Sequence, residues 1–303
     1  MSATRPRVAI VGAGGLARAM ALALSRSGGA SVTLAARRGA AAALAVRDAR
    51  RVRAAASIAD ALTDAEVVIL AVPDRAITTA ASALVPLRRS WRGVVALHAA
   101  GALGPAPLAP LRAAGAATGV LHPLAVLGEG GADALRGAFA RIEGSAKARS
   151  AARRLCALTG LVPLKGARLS STGGRAAYHA AASLASNDVV ALLAIAHGLL
   201  VDLGVPRRDA SAALTALAAG AIAQVRDAGL VGALTGPVAR NDRKTLAAQL
   251  RLLASADRVA ERAHRALSLR LLELAVAAGR LDPEASRGLR ALLARGRGHP
   301  RRV

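Results

Sequence analysis

An α/β sheet domain followed by an all-helical region is the fold class that this 303-residue sequence predicts. Three observations predict it. The first half alternates short apolar runs with helix-compatible stretches. Those runs are apolar at successive positions rather than at every second one, as in parallel strands covered on both faces. The second half, from about Arg175 to about Leu293, carries long apolar-periodic runs and few strand signals.

The elements follow in order. Arg7–Val11 (RVAIV) reads as a first strand, Gly12–Gly15 punctuates it, and Leu16–Ser25 continues with helical spacing. Ser31–Leu34 (SVTL) is a second strand and Ala41–Val46 a helix. Glu66–Val72 (EVVILAV) is a strand ended by Pro73, and Gly93–Leu97 and Ala117–Leu121 are further strands. Strands separated by helical patterns imply right-handed βαβ units. The small, polar segment Arg168–Gly174 (RLSSTGG) reads as a hinge. Beyond it, breaks at Gly204–Val205–Pro206, Gly229, Gly236–Pro237 and Asp282–Pro283 leave three or four long helices. The expected organisation is a sheet domain over 1–167, a helical domain over 168–285 and a frayed basic tail over 286–303.

Composition narrows the function classes. A hydrophobic content of 54% excludes a disordered chain. The net charge of +24 invites a nucleic-acid reading, but aromatics are 1% (Trp91, Tyr178 and Phe139), too few for base-stacking platforms. The basic residues are scattered except near the C-terminal end (Arg290, Arg295, Arg297, Arg301, Arg302), and only Lys147, Lys165 and Lys244 are lysines. With Ala and Gly in excess, that bias resembles GC-rich coding. The balance argues against a nucleic-acid partner and leaves an attraction to anionic phosphorylated ligands. Cys156 is the single cysteine, so no intrachain disulfide forms; it reads as a buried small hydrophobe. No zinc-ligand spacing is present, and no metal is expected. No secretory pattern opens the chain, and no uncharged apolar run reaches the roughly 20 residues a bilayer requires. The longest, Val189 to Val201, contains His197. The expectation is a cytoplasmic protein without a membrane partner.

Gly12-Ala13-Gly14-Gly15-Leu16-Ala17 fits G-x-G-x-x-A between a strand and a helix, the context in which that pattern binds a dinucleotide. Gly12 makes the tight turn, Gly14 lets backbone approach a pyrophosphate, and Ala17 packs the helix closely on the strand. The helix opened by Gly15 and Leu16 then offers its N–H groups to the phosphates. At the end of the second strand, Leu34-Ala35-Ala36-Arg37-Arg38 holds no acid for a ribose hydroxyl and two guanidiniums for a 2′-phosphate, so NADP is preferred to NAD. Val72 and Pro73 close the next strand and should border the cofactor cleft. His98 and His122 end later strands at the same rim. His122 either donates to a substrate carbonyl or fixes the turn before Pro123.

In the second half, His179, Ser183 and Asn187 follow i, i+4, i+8 spacing and should share one helical face, with Tyr178 and Ser186 beside them. Polar groups on an otherwise apolar helix need partners when buried. A substrate cleft supplies them on one reading and helix–helix packing on the other. In Leu234–Asp242 (LTGPVARND), Asn241 or Asp242 is a helix N-cap, and Arg240 with Thr235 is the candidate for binding a substrate carboxylate or phosphate.

Together GAGGLA, VILAVPD at Val68–Asp74, HPL at His122–Leu124, YHAAASLASN at Tyr178–Asn187 and LTGPVARND resemble a bacterial Rossmann-like family with a C-terminal domain of unknown function, numbered 2520. More distantly the layout is similar to the 6-phosphogluconate dehydrogenase-like superfamily, which includes ketopantoate, pyrroline-5-carboxylate and β-hydroxyacid enzymes. The resemblance implies an NAD(P)-dependent oxidoreductase acting on a small molecule, with a helical domain that forms a homodimer. Some actinobacterial members lie beside pantothenate-synthesis genes, which makes 2-dehydropantoate the first substrate guess. Two departures stand out. Asn241 occupies a position where the family usually has Gly, and the catalytic Lys of ketopantoate and β-hydroxyacid enzymes falls on or near Ser183. On this reading His179 is the general acid, Asn187 an orienting donor and His122 a second donor. The alternatives are a pyrroline-5-carboxylate-type imine reductase and a non-catalytic NADP-binding sensor or scaffold.

Overall fold

A computed structural model describes residues 5–37, 51–127, 131–166 and 168–294, which form two compact units, one up to Asp188 and one from Val189 onward. In the first unit the described strands are β1 (Arg7–Val11), β2 (Ser31–Ala35), β3 (Val52–Ala54), β4 (Val67–Leu70), β5 (Val95–His98), β6 (Ala117–Leu124), β7 (Phe139–Gly144) and β8 (Val162–Pro163). They lie in one sheet in the order β3-β2-β1-β4-β5-β6-β7-β8. β1 through β6 are mutually parallel, while β7 runs antiparallel to β6. The chain winds outward from β1 to β3, then returns to place β4 on the other side of β1. That reversal opens a crevice at the carboxyl ends of β1 and β4, the usual ligand position in such sheets.

Burial on both faces explains the continuous apolar strands. Val8 and Ile10 of β1 enter one core with Leu24, Leu34, Leu97 and Leu155. Ala9 and Val11 enter the other with Leu62, Val68, Leu70 and Trp91. Helices α1 (Gly15–Ser27), α2 (Ile58–Leu62), α3 (Ile77–Leu84), α4 (Ala109–Ala113) and α5 (Ala146–Thr159) supply the covering layers. Trp91 is fully buried and its indole N–H donates to the Val85 carbonyl at 3.1 Å. Cys156 is also buried, which pushes its thiol up to about 11 and leaves it inert.

Three strands lie outside the sequence reading: β3, β7 and β8. β7 (FARIEG) carries Arg141 and Glu143, charges that read as surface until their buried partners are known. The expected helix over Ala41–Val46 lies outside the described residues.

The helical half is more divided than the expected three or four helices. It contains α6 (Thr172–Ala185), α7 (Asn187–Asp202), α8 (Arg207–Gly232), the single turn α9 (Gly236–Ala239), α10 (Arg243–Ala256), α11 (Arg258–Ala277) and α12 (Pro283–Ala294). Its breaks at Ser186, Arg240-Asn241-Asp242 and Asp257 contain no Gly or Pro. Ser186 leaves helical geometry at φ −128°, ψ −71°, separating α6 from α7. Asp257 caps α11 by accepting from the N–H groups of Val259 and Ala260 at 2.7 and 3.0 Å. The second unit packs Val238, Leu246, Leu250, Leu272, Leu289 and Leu293 as its core, drawn from α9 to α12. By contrast α7 buries none of its residues and α8 only Ala210.

The helical stretches Thr172–Asp202 and Arg207–Ala239 are long and apolar enough to cross a membrane by length and composition, with mean hydropathies of 1.8 and 1.2. Charged residues interrupt both, Arg175, Asp188 and Asp202 in the first and Asp209, Arg226 and Asp227 in the second, so neither contains an uncharged apolar run of about 20 residues. The evidence for a membrane span is weak, because helices covered by other protein pass the same test.

Asp242, rather than Asn241, caps α10, accepting from the Thr245 N–H at 3.0 Å and its hydroxyl at 2.7 Å. Asn241 instead adopts φ +54°, among the described residues the only non-glycine in the left-handed region. Asn visits that region more readily than other residues with a Cβ, although here its Oδ1 is buried without a hydrogen-bond partner, and Gly has no Cβ to clash. The departure from Gly is therefore conservative. Replacing Asn241 by Gly should leave the denaturation midpoint unchanged or higher. Asn241→Val should cost about 1–2 kcal/mol in urea melts.

Candidate functional site

The glycine turn lies between β1 and α1. Gly12 N–H donates to the Ala35 carbonyl at 2.8 Å, tying the turn to the end of β2. Its φ is +143°, and a Cβ there would sit 2.2 Å from the Ala71 carbonyl oxygen, so no other residue fits. Gly14 is different: a Cβ on it would meet no atom of the described residues within 4 Å. It occupies the N-cap of α1 without any side-chain cap, and the first turn holds no acidic residue. Gly14 and Gly15 are exposed and no side chain caps the first N–H groups, so this positive helix end fits a phosphate-bearing ligand. Gly15 begins the helix, Ala17 is fully buried and Leu16 packs partly buried on the same core. Arg37 is exposed just past β2, and Val72 and Pro73 follow β4 at the same sheet edge. Arg38 lies outside the described residues.

Farther along that edge, β5 and β6 present His98 and His122. His98 is fully buried. Its Nδ1 accepts from the Ala100 N–H at 3.1 Å, which places the ring proton on Nε2, 2.9 Å from the Gly104 carbonyl it donates to. Burial lowers its pKa, so this neutral tautomer is a structural clamp on the loop 99–104.

His122 Nδ1 lies 2.8 Å from the Tyr178 hydroxyl of α6, and the two rings meet edge to face at 83°. A methyl group added to Gly101 would lie 2.8 Å from His122 Nε2 and 3.0 Å from His179 Nδ1. Gly101 therefore separates two imidazoles that approach the same point. Desolvation, then the charge of Arg141, hold His122 at about 4, so it is neutral at physiological pH. Burial raises the Tyr178 phenol, partly opposed by Arg141.

Arg141 underlies this arrangement. It is fully buried on β7, with its guanidinium 5.7 Å from the centre of the Tyr178 ring. It donates to Glu143, to the Ala100 carbonyl at 3.3 Å and to the Leu103 carbonyl at 2.6 Å. Glu143 also accepts from Arg175 at 3.0 Å, and Arg175 reaches the Ser170 carbonyl as well. Two guanidiniums share one carboxylate, so the cluster carries a net positive charge. The sequence reading missed Tyr178, Arg141, Glu143 and Arg175 as site residues. For Tyr178 a signal existed: it is the chain's single tyrosine and stands next to His179.

The remaining candidates are less gathered. His179 is exposed on α6 and Ser183 half-buried. The break at Ser186 removes Asn187 from their helix, so the expected i+8 alignment does not extend to it; Asn187 opens α7 and is exposed. In the second unit, Thr235 is the N-cap residue of α9 and Arg240 its C-cap, both exposed.

Comparisons place these units among known proteins. Residues 7–99 match the family model described as NADP oxidoreductase coenzyme F420-dependent, and residues 138–271 match the domain of unknown function DUF2520. A Thermotoga maritima protein shares the fold with TM-score 0.66 and 22% identity, covering 89% of this chain and 99% of the other. A pyrroline-5-carboxylate reductase from Coxiella burnetii aligns with TM-score 0.53 and 14% identity, over 96% and 97% of the two chains. A reductive aminase from Aspergillus terreus, in complex with NADPH and ethyl-5-oxohexanoate, aligns with TM-score 0.58 and 18% identity over 95% and 99%. No curated protein matches.

Two outcomes test the electrostatics. Glu143→Gln leaves Arg141 buried without its counter-charge and should destabilise the first unit by about 3–5 kcal/mol in denaturant titrations. The depressed His122 pKa contributes stability above pH 6.5. That contribution should fall as pH drops toward about 4, by up to about 3 kcal/mol, because only the unfolded chain binds the proton in that window. His122→Gln should flatten the decline.

Proposed function

We propose that this chain, which joins an NADP-oxidoreductase N-terminal domain to a DUF2520 domain, is an NADP-dependent oxidoreductase that reduces a small carbonyl or imine substrate. The observation that carries the reading is the glycine turn. Gly12 has no room for a side chain, while Gly14 and the uncapped start of α1 are open to a ligand. The cofactor is NADP. Gly12, Gly14, Gly15, Leu16 and Ala17 hold its pyrophosphate, Val72 and Pro73 border it, and Arg37 with Arg38 binds the 2′-phosphate. Bound NADPH supplies the hydride.

The substrate-side assignment rests on chemistry. His179 is an exposed imidazole available as a proton source, with Ser183 one turn along the same helix. His122 stands against the same glycine, and Asn187 is an orienting amide. Arg240 and Thr235 bind a carboxylate. For a carboxylate-bearing carbonyl, 2-dehydropantoate is the first substrate to assay. A cyclic imine such as pyrroline-5-carboxylate is the second reading. It is favoured by the absence of lysine from Thr172–Ala185, since a protonated imine needs no ammonium beside it. A deazaflavin acceptor belongs in the same panel, because the model matched by 7–99 names coenzyme F420.

The chain works as a homodimer. Val190 and Leu192 of α7 and Leu217, Ile222 and Leu230 of α8 are exposed in a single chain, and a second copy covers such helices at the same gain per area as a core.

Calorimetric titration tests the cofactor: NADPH should bind tightly and NADH weakly, and Arg37→Ala should weaken NADPH about ten-fold or more. Failure of both nucleotides to bind would sink the reading. Light scattering in detergent-free buffer should give twice the chain mass. A monomer, or a protein that needs detergent to stay in solution, would overturn the dimer.

A further inference from the structure

Tyr178 has no part in the reduction proposed for this chain, although its hydroxyl lies 2.8 Å from His122 Nδ1. We propose that Tyr178 is the catalytic proton donor, and that His122 and His179 form the relay returning a proton to it. The proposal rests on the oxidoreductase reading and deepens it.

Three geometric facts support it. First, the Tyr178 hydroxyl and His122 Nδ1 are 2.8 Å apart. A phenol has one proton and two lone pairs. If His122 carries its proton on Nδ1 and donates to Tyr178, the phenol keeps its own O–H for a substrate. Second, that tautomer leaves a lone pair on His122 Nε2, the nitrogen that approaches Gly101 together with His179 Nδ1. Both nitrogens lie about 3 Å from one point, a separation that one bridging water spans. Third, the order of exposure suits a relay: Tyr178 is buried, His122 half-buried and His179 exposed to solvent.

Arg141 makes the chemistry directional. Its guanidinium under the Tyr178 ring and near His122 disfavours an imidazolium there and favours a transient phenolate. His122 therefore passes protons without holding a charge, while burial raises the Tyr178 phenol and Arg141 offsets part of that rise, so the phenolate is short-lived and is reprotonated through His122. The loop bearing Gly101 is held by His98 and by the two Arg141 hydrogen bonds, so the gap between the imidazoles is preset.

The step balances. Hydride arrives at the substrate carbon, and the π-electron pair moves to the carbonyl oxygen or imine nitrogen. The Tyr178 O–H bond breaks and its proton goes to that atom. The phenolate takes the Nδ1 proton of His122, whose Nε2 takes a proton from a water shared with His179; when the product leaves, Nε2 returns its proton to that water and Nδ1 takes one from solvent entering the vacated site, which restores the starting tautomer. One hydride and one proton are consumed per product, as reduction requires. An iminium substrate arrives protonated and draws on the relay less than a ketone does.

Two measurements on the full chain test this. The first is nitrogen-15 imidazole spectroscopy without cofactor, with His122 assigned through His122→Gln. The expected result is the Nδ1–H tautomer. An Nε2–H tautomer means that the Tyr178 proton is spent on His122, and overturns the relay. The second is NADPH oxidation with 2-dehydropantoate and pyrroline-5-carboxylate. Tyr178→Phe should lower kcat for the better substrate about a hundred-fold or more while NADPH binding is retained. Unchanged kcat overturns the proposal and leaves the oxidoreductase reading standing. If Tyr178→Phe does not fold, 3-fluorotyrosine incorporation keeps the hydroxyl and makes this one phenol more acidic, at a single site because the chain has one tyrosine. The more acidic phenol should move the alkaline limb of the kcat profile to lower pH; an unmoved limb counts against Tyr178. If neither substrate is turned over by the native protein, the substrate reading fails while the tautomer still decides the relay.

Discussion

A fully buried guanidinium organises the candidate site. Arg141 is costly to place inside a protein, since an unpaired charge there loses its hydration without return. Glu143, two backbone carbonyls and the Tyr178 ring offset part of that cost, while the buried Nε has no hydrogen-bond partner, and each of these partners is thereby held in place. The loop 99–104 becomes rigid, Gly101 is fixed between two histidines, and α6 is tied to β7 through Arg175 and Glu143. His98 and His122 also have their own contacts, with the loop backbone and with the Tyr178 hydroxyl, and the guanidinium joins those contacts into one cluster.

The sheet itself follows from simpler forces. β1, β2, β4, β5 and β6 are continuous apolar runs, and their burial on both faces explains why the sequence displays them so openly. The glycine turn was equally legible, because a backbone approach that excludes a Cβ leaves glycine as the only solution, as Gly12 does. β7 was not legible, for the reason that makes it important. Arg141 and Glu143 look like surface charges in the local sequence; their partners Ala100, Leu103 and Arg175 come from distant segments. A pattern read along the chain sees hydropathy, and buried charge is a property of tertiary pairing.

The same limit applied to the helical half. Periodicity identified the helices but not where they stop, because Ser186 and Asp257 end them through backbone and side-chain hydrogen bonds rather than through Gly or Pro. The polar stripe that seemed to run from His179 to Asn187 depended on an unbroken helix. Asn241 gives the opposite case, where a residue that departs from a resembled pattern retains its conformational role.

The placement of aromatic side chains has a practical consequence. Trp91 and Tyr178, the chain's only fluorescent residues, both lie before Asp188, and Trp91 is packed between strand and helix in the sheet unit. Intrinsic emission therefore reports on the sheet unit alone. The helices from Val189 onward dominate the far-ultraviolet dichroism but are dark in fluorescence. A thermal scan followed by both signals separates the melting of the two units without any label, and a single coincident transition means that they unfold together.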